Sequence, residues 1–282
     1  MVNGDSSAPA FANTGWNADA GPTLLVAGDA PDVAQVIFPE VTDSTLGDTT
    51  LMDLAPVSGA TVELFSRRGT VGTAMVAGPD TTSQADSSDE TCDDWPMVRL
   101  RAERGSGAGT WTVALLANHG RPLPLDSIEG MSRTDSSRLA ADVARLSRST
   151  PDDTARAFRG LPYSVRTVRR FRAAPGVDAI AAEVSRRINQ EANPREEQIF
   201  FVAERDSGQA NGPWQIAFSL RASGHEGAVE THDVLAAVAI GAARRPTLVL
   251  SRYIGDGMSY VFLERTGARQ WRVRWVSATS GC

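Results

Sequence analysis

A chain of 282 residues with 41% hydrophobic and 22% charged residues has the make-up of a folded protein with an ample core, in one large domain or two. Its formal net charge is −6, and all 28 basic residues are arginine, because the sequence contains no lysine. A GC-rich coding bias explains the missing lysine, and the gap excludes Schiff-base chemistry, a pyridoxal phosphate lysine and a Walker-type phosphate loop.

Residues 1–22 are mostly Gly, Ala, Ser, Asn and Asp, with Phe11 and Trp16 the only large side chains. Such a stretch cannot bury enough apolar surface to order itself, so it is expected to be disordered or held by a partner, with Trp16 as the anchor. Strand signals dominate from residue 23 to about 117. Runs at 33–38, 57–65 and 71–76 are followed by 97–101 and 110–116, the last two expected to pair as a hairpin across Gly105 to Gly109. Short strands at this spacing predict a β-sandwich-like domain over 23–120. The acidic stretch 80–94 interrupts it. Asp86, Asp89, Glu90, Asp93 and Asp94 lack the order and the central Asp-Gly turn of an EF-hand, so a solvated loop is the simpler reading.

A helical connector is expected over 121–160. Ser136 or Asp135 would cap a helix burying Leu139, Val143 and Leu146, with Arg138 and Asp142 paired outside. Thr150-Pro151-Asp152-Asp153 reads as a second, short helix start that ends before Gly160. The remainder, 161–282, is predicted as an α+β domain. It opens with a strand at 163–172, then an amphipathic helix at 177–189 with Val177, Ile180, Ala181, Val184 and Ile188 as its buried stripe. Two more strands follow at 199–204 and 214–221, and residues 229–243 fit neither pattern cleanly. The chain closes on a three-stranded antiparallel meander. Its strands run 246–253, 259–265 and 271–275, turning at Gly255-Asp256-Gly257 and at Gly267. Tyr260 and Phe262 point one way, Val261 and Leu263 the other. Trp271, Val273 and Trp275 are expected to share one face, with Arg272 and Arg274 on the opposite one.

The segment from Ala237 to Leu250 resembles the calcium-loop region of FG-GAP (integrin-type) β-propeller repeats, where an Asp-x-Asp-Gly-Asp-Gly loop precedes a Pro-Glu-Leu-Val-Leu-like strand. Ala239, Gly241 and Ala243 stand where that family has acidic ligands. Calcium takes six to eight oxygen ligands, and alanine offers none. The resemblance covers about 45 residues, implies strand architecture and implies no metal. No second copy of the segment is found, whereas a propeller needs several.

Chemical signatures are sparse. The two cysteines, Cys92 and Cys282, belong to no Cys-x-x-Cys pair, which argues against structural zinc. They either bridge, which would fix the C-terminus and place the chain outside the cytoplasm, or remain idle thiols. Gly105-x-Gly-x-Gly109 precedes a strand signal rather than a helix, so it reads as a turn and not a nucleotide loop. His225, Glu226, Glu230, His232 and Asp233 crowd into nine residues, but without the His-Glu-x-x-His spacing. His119 sits in a turn. No Gly-x-Ser-x-Gly elbow occurs, and neither cysteine has an electropositive setting. Catalytic residues, metals and cofactors are therefore not assigned.

Charge is laid out unevenly. Residues 1–66 carry nine acids and no base, whereas 133–195 carry thirteen arginines against seven acids. Arg166, Arg169, Arg170 and Arg172 form the densest basic cluster, suited to carboxylates or phosphates. On a strand Arg166, Arg170 and Arg172 share one face, while Arg169 joins Val165 and Phe171. The alternative is that these charges pair within the fold. An overall negative charge and the lack of any DNA or RNA motif argue against nucleic acid. No apolar run reaches the ~20 residues of a membrane span, and residues 1–22 lack a signal-peptide core. Either the chain is cytoplasmic or a targeting segment is not part of it.

The composite expectation is a non-catalytic binding or bracing protein, extrinsic to a bacterial membrane in the cell envelope or periplasm. Its partners would be protein subunits of a larger complex, with anionic lipid headgroups as a second class. A photosynthetic reaction-centre and antenna assembly is one such host. The competing readings are a freestanding cell-envelope ligand-binding lipoprotein and a hydrolase using the loop His225 to Asp233.

Overall fold

The computed structural model describes residues 16–17, 21–48, 50–80, 95–103, 110–150, 156–189, 193–208, 212–241 and 243–281. Cys92, Cys282 and the acidic stretch 81–94 lie outside them, and so do Asp152 and Asp153 of the expected short helix.

Two-residue strands β1 (Trp16–Asn17) and β2 (Gly21–Pro22) pair antiparallel, setting Trp16 opposite Pro22. Then come β3 (Leu24–Ala27), β4 (Val33–Ile37), β5 (Thr61–Ser66), β6 (Gly69–Pro79), β7 (Met97–Ala102) and β8 (Val113–Leu116). These six close into a barrel in the order β3-β4-β7-β6-β5-β8. The expected sandwich is thus a closed cylinder, which leaves no free sheet edge there. Nor do β7 and β8 form a hairpin. Among the described strands β7 pairs with β4 and β6, and β8 with β3 and β5.

Beyond the barrel lie β9 (Gly120–Pro122), β10 (Asp126–Ser127), the helix α1 (Arg133–Ser147) and a 3-10 turn, Arg156–Phe158. Ser132 caps α1 by accepting from the Asp135 N–H, three residues before the expected cap. Leu139, Val143 and Leu146 are buried as the spacing predicts, and Asp142 pairs with Arg145 at 2.7 Å. The remaining strands are β11 (Ser164–Ala174), β12 (Val177–Ile188), β13 (Arg195–Asp206), β14 (Gln215–His225), β15 (Thr231–Ile240), β16 (Arg245–Ile254), β17 (Gly257–Gly267) and β18 (Gln270–Val276). They make two five-stranded antiparallel sheets. An outer sheet runs β10-β11-β12-β13-β14, and an inner one runs β18-β17-β16-β15-β9. The chain is mainly β.

The expected helix at 177–189 is the strand β12, paired residue for residue with β13 from Val177↔Asp206 to Ile188↔Arg195. Both its faces are covered. Ala179 and Ala181 meet the inner sheet, while Ile180, Ala182 and Val184 meet α1. A strand buried on both sides shows no alternation, and its apolar positions then fall at helical spacing by default.

Three cores define four layers. The first fills the barrel and continues onto one face of the inner sheet through Ala236, Val238, Val249, Tyr260, Phe262 and Trp275. A second lies between the two sheets, with Phe171, Phe200 and Val202 against Leu248, Leu263 and Trp271. The third joins the outer sheet to α1. Tyr260 and Phe262 therefore face the barrel and Val261 and Leu263 face the outer sheet, as the meander predicts.

Its two tryptophans do not share a face. Between β17 and β18 the register steps from Phe262↔Trp275 to Leu263↔Val273, and this bulge turns Trp275 to the barrel and leaves Trp271 between the sheets. The segment from Ala237 to Leu250 spans the end of β15, the turn at Gly241 and the first half of β16. No helix among the described residues is long and apolar enough to cross a membrane.

Candidate functional site

The expected arginine cluster sits on β11, and most of it is engaged. Arg170 lies 3.3 Å from Asp126, Arg172 3.4 Å from Asp178, and Arg169 3.7 Å from Glu129. Arg166 is close enough to Glu183 to favour its ionised form. Bulges at 165–167 and 172–174 break the simple alternation along this strand.

Arg169 and Arg170 also line a groove of about 1140 Å³ where the barrel meets the two-sheet body. Its opposite wall is the β5–β6 hairpin tip, Ser66-Arg67-Arg68, together with Thr110 and Thr112. Its floor is the passage from Pro124 through β10 to the start of α1. Arg67 is fixed from the side: its Nε donates to the Val234 carbonyl at 2.7 Å and its Nη2 to Asp233. Arg68 is exposed and has no carboxylate partner among the described residues. Four guanidiniums thus face three carboxylates, those of Asp126, Glu129 and Asp135. The lining is polar and nearly balanced in charge. It suits a partner with both donors and acceptors better than a bare polyanion.

Sequence reasoning missed Arg67 and Arg68. The available signal was positional: they are the first bases after 66 residues without one, on a tip bounded by Gly69. Trp16 is placed by its backbone in the β1–β2 ribbon.

The late acidic and histidine loop is split by the fold. His225 is exposed at the end of β14 in the outer sheet, and His232 is buried at the start of β15 in the inner one. Glu226 pairs with Arg187 at 3.1 Å and Asp233 with Arg67. His232 lies 3.2 Å from Glu230, which also takes Arg252 at 2.9 Å, and its ring stands 5.3 Å from that of Phe200. The His232 N–H donates to Glu183 at 2.8 Å. Among the described residues no three His, Cys, Asp or Glu side chains are grouped to hold a metal.

These two carboxyls respond to pH in opposite senses. The His232 imidazole beside it, opposed by burial and aided by Arg252, holds Glu230 down at about 2. Burial pushes Glu183 above the usual carboxylate range, against the His232 N–H. Glu230 therefore contributes stability that is complete above its unfolded value of 4.5 and is lost as pH falls toward about 2. Glu183 does the reverse, favouring the fold most in acid and less as pH rises past 4.5. The Glu230→Gln variant is expected to flatten the acid limb by about 1–3 kcal/mol. Urea midpoints of both proteins, compared at about pH 5 and about pH 2.5, would show it. An equal acid loss in the two would remove Glu230 from that role.

No protein-family model matches this chain, and no curated protein or solved structure matches it.

Proposed function

We propose that this chain is a non-catalytic binding and bracing protein, holding a polypeptide segment of a larger, membrane-associated assembly in the groove beside the barrel. The observation that carries the reading is the make-up of that groove. Arg67, Arg169 and Arg170 project from two different structural layers and are held near their positions by neighbouring oxygens, while Arg68 stands open at the rim. Side chains fixed before binding lose little freedom on contact, so they favour recognition by shape and charge. The distribution of chemistry agrees. The buried carboxylates of the two sheets are engaged by arginines or by backbone N–H groups, which suits bracing rather than proton transfer.

Membrane association would place the chain at the envelope as an extrinsic subunit, with anionic headgroups a secondary contact. The test is co-sedimentation of the purified chain with membranes from its source, followed by cross-linking from a photoreactive group at Thr110. Retention and a cross-link to one polypeptide are expected, and the double variant Arg68→Glu, Arg170→Glu should weaken retention about tenfold. Retention unchanged in that variant, or no retention at all, would overturn the reading.

A further inference from the structure

Among the described residues, one edge of the outer sheet has no strand beside it. β14 is the terminal strand of the outer sheet, and among the described residues only β13 pairs with it. From Phe218 to His225 its register with β13 is unbroken, so along these eight residues every second one turns its backbone N–H and C=O away from β13, where no described strand pairs with them. Proteins normally protect such an edge with charges, proline or a covering element. Here one bulge at Ala217 disturbs the N-terminal end, and the rest carries no proline and one full charge, Arg221. That charge is drawn inward, to Glu197 at 3.2 Å and Thr150 at 2.5 Å. The edge itself is left neutral, with Ile216, Phe218 and Leu220 half-exposed.

The inner sheet ends on the same side. β18 is its terminal strand and lies against β14, and it carries Val273 and Val276, 38% and 39% exposed. The two edges thus lie side by side, and the β18 edge carries Val273 and Val276 together with the exposed Arg272.

We infer that this pair of edges is a self-association surface: a second copy of the chain adds its own β14 antiparallel to β14, making a continuous ten-stranded outer sheet about a two-fold axis. A strand without exposed charge meets its own copy with no like-charge penalty. Antiparallel pairing also satisfies the isologous rule, each contact occurring twice. Main-chain hydrogen bonds would supply the affinity, and Val273 and Val276 of each copy would come under cover at the flanks. A charged partner peptide would find no complementary charge along β14. The inference is independent of the groove, which lies on the β10–β11 side of the outer sheet.

The test is the mass of the full chain in solution by light scattering and sedimentation over a concentration series, with amide exchange followed on β14. A dimer is expected, with the outward amides of Phe218–His225 protected at high concentration and exposed on dilution. Ser219→Lys with Ser223→Lys places charge on the edge and should raise the dissociation constant about tenfold or more while the circular dichroism stays unchanged. A chain that stays monomeric throughout overturns the inference. So does a dimer whose β14 amides exchange fast, because another face would then join the copies. Should the variant fail to fold, the concentration dependence of exchange in the unaltered chain decides alone.

Discussion

Glu204→Ala is expected to lower the unfolding free energy by about 3–5 kcal/mol, among the largest losses of any single substitution in this chain. Glu204 sits on β13 in the outer sheet, 2% exposed, and its carboxylate is gripped by the inner sheet. One oxygen accepts from Arg265 Nε and Trp271 Nε1, each at 2.7 Å; the other accepts from Arg265 Nη2 and the Arg269 N–H, each at 3.0 Å. Burial pushes this carboxyl's pKa up, but the four donors outweigh it and hold the group below the usual range. Arg269 is itself held at φ 57, a conformation that non-glycine residues adopt rarely, in the tight β17–β18 turn. Removing the carboxylate would leave a mostly buried guanidinium and an indole N–H without their acceptor. The loss is dominated by those stranded donors, not by the intrinsic strength of the pair. Glu204→Gln, which keeps one acceptor oxygen, should lose about half as much. Urea unfolding with an unchanged slope is the measurement. A loss below about 1 kcal/mol would show that the sheets are not tied there.

The same motif recurs, and it gives the lysine-free composition a structural consequence. Glu197, fully buried, takes Arg186 at 2.5 Å and Arg221 at 3.2 Å. Glu264, 1% exposed, takes Arg245 at 2.9 Å and Arg274 at 2.8 Å. A guanidinium offers five donors in a rigid plane and is less strongly hydrated than an ammonium, so it enters such sites at lower cost. Arg186 adds a face-on contact with Tyr163, 4.6 Å from the ring centre.

How much of this was legible follows from what each element touches. The terminal meander was readable because turns, length and alternation agree, and both faces of β17 pack as the alternation requires. β12 was not readable by periodicity, since both its faces are covered. A better signal lay across its turn: Arg186 and Arg187 on one arm mirror Glu197 and Glu196 on the other, the complementary pairs of an antiparallel hairpin. Five of the barrel's six strands were found, all but β3, but not their partners. A glycine-rich stretch between β7 and β8 suggests a hairpin, whereas closure is set by contacts far apart in sequence, such as β3 with β8. The groove was half visible. Arg169 and Arg170 stood out by density, but Arg67 and Arg68 join them only because the barrel docks on the inner sheet.

That docking sets the second large effect. Trp275→Ala is expected to cost about 3–5 kcal/mol and to split thermal unfolding into two steps, because the side chain fills the seam between barrel and inner sheet. Its ring lies 4.9 Å from that of Phe262, its Nε1 donates to the Pro39 carbonyl at 3.1 Å, and it is 8% exposed. Neighbouring links are polar and lie farther out: the Tyr260 hydroxyl donates to Gln35 at 3.0 Å, and the Thr279 N–H to Asp43 at 2.7 Å. With the indole gone these would hold a cavity open rather than close it. Trp275→Phe keeps most of the volume and loses the hydrogen bond, so about 1–2 kcal/mol is expected. Val273→Ala supplies the contrast. Two residues away on the same strand, Val273 would be buried alongside Trp275 if β18 alternated regularly, but the bulge leaves it 38% exposed. In the unassociated chain its truncation should change stability by no more than about 0.5 kcal/mol. Calorimetry on the three variants, at a dilution that keeps the chain monomeric, separates the possibilities: a large loss for Val273→Ala there would put that side chain under cover within the single chain and remove the bulge.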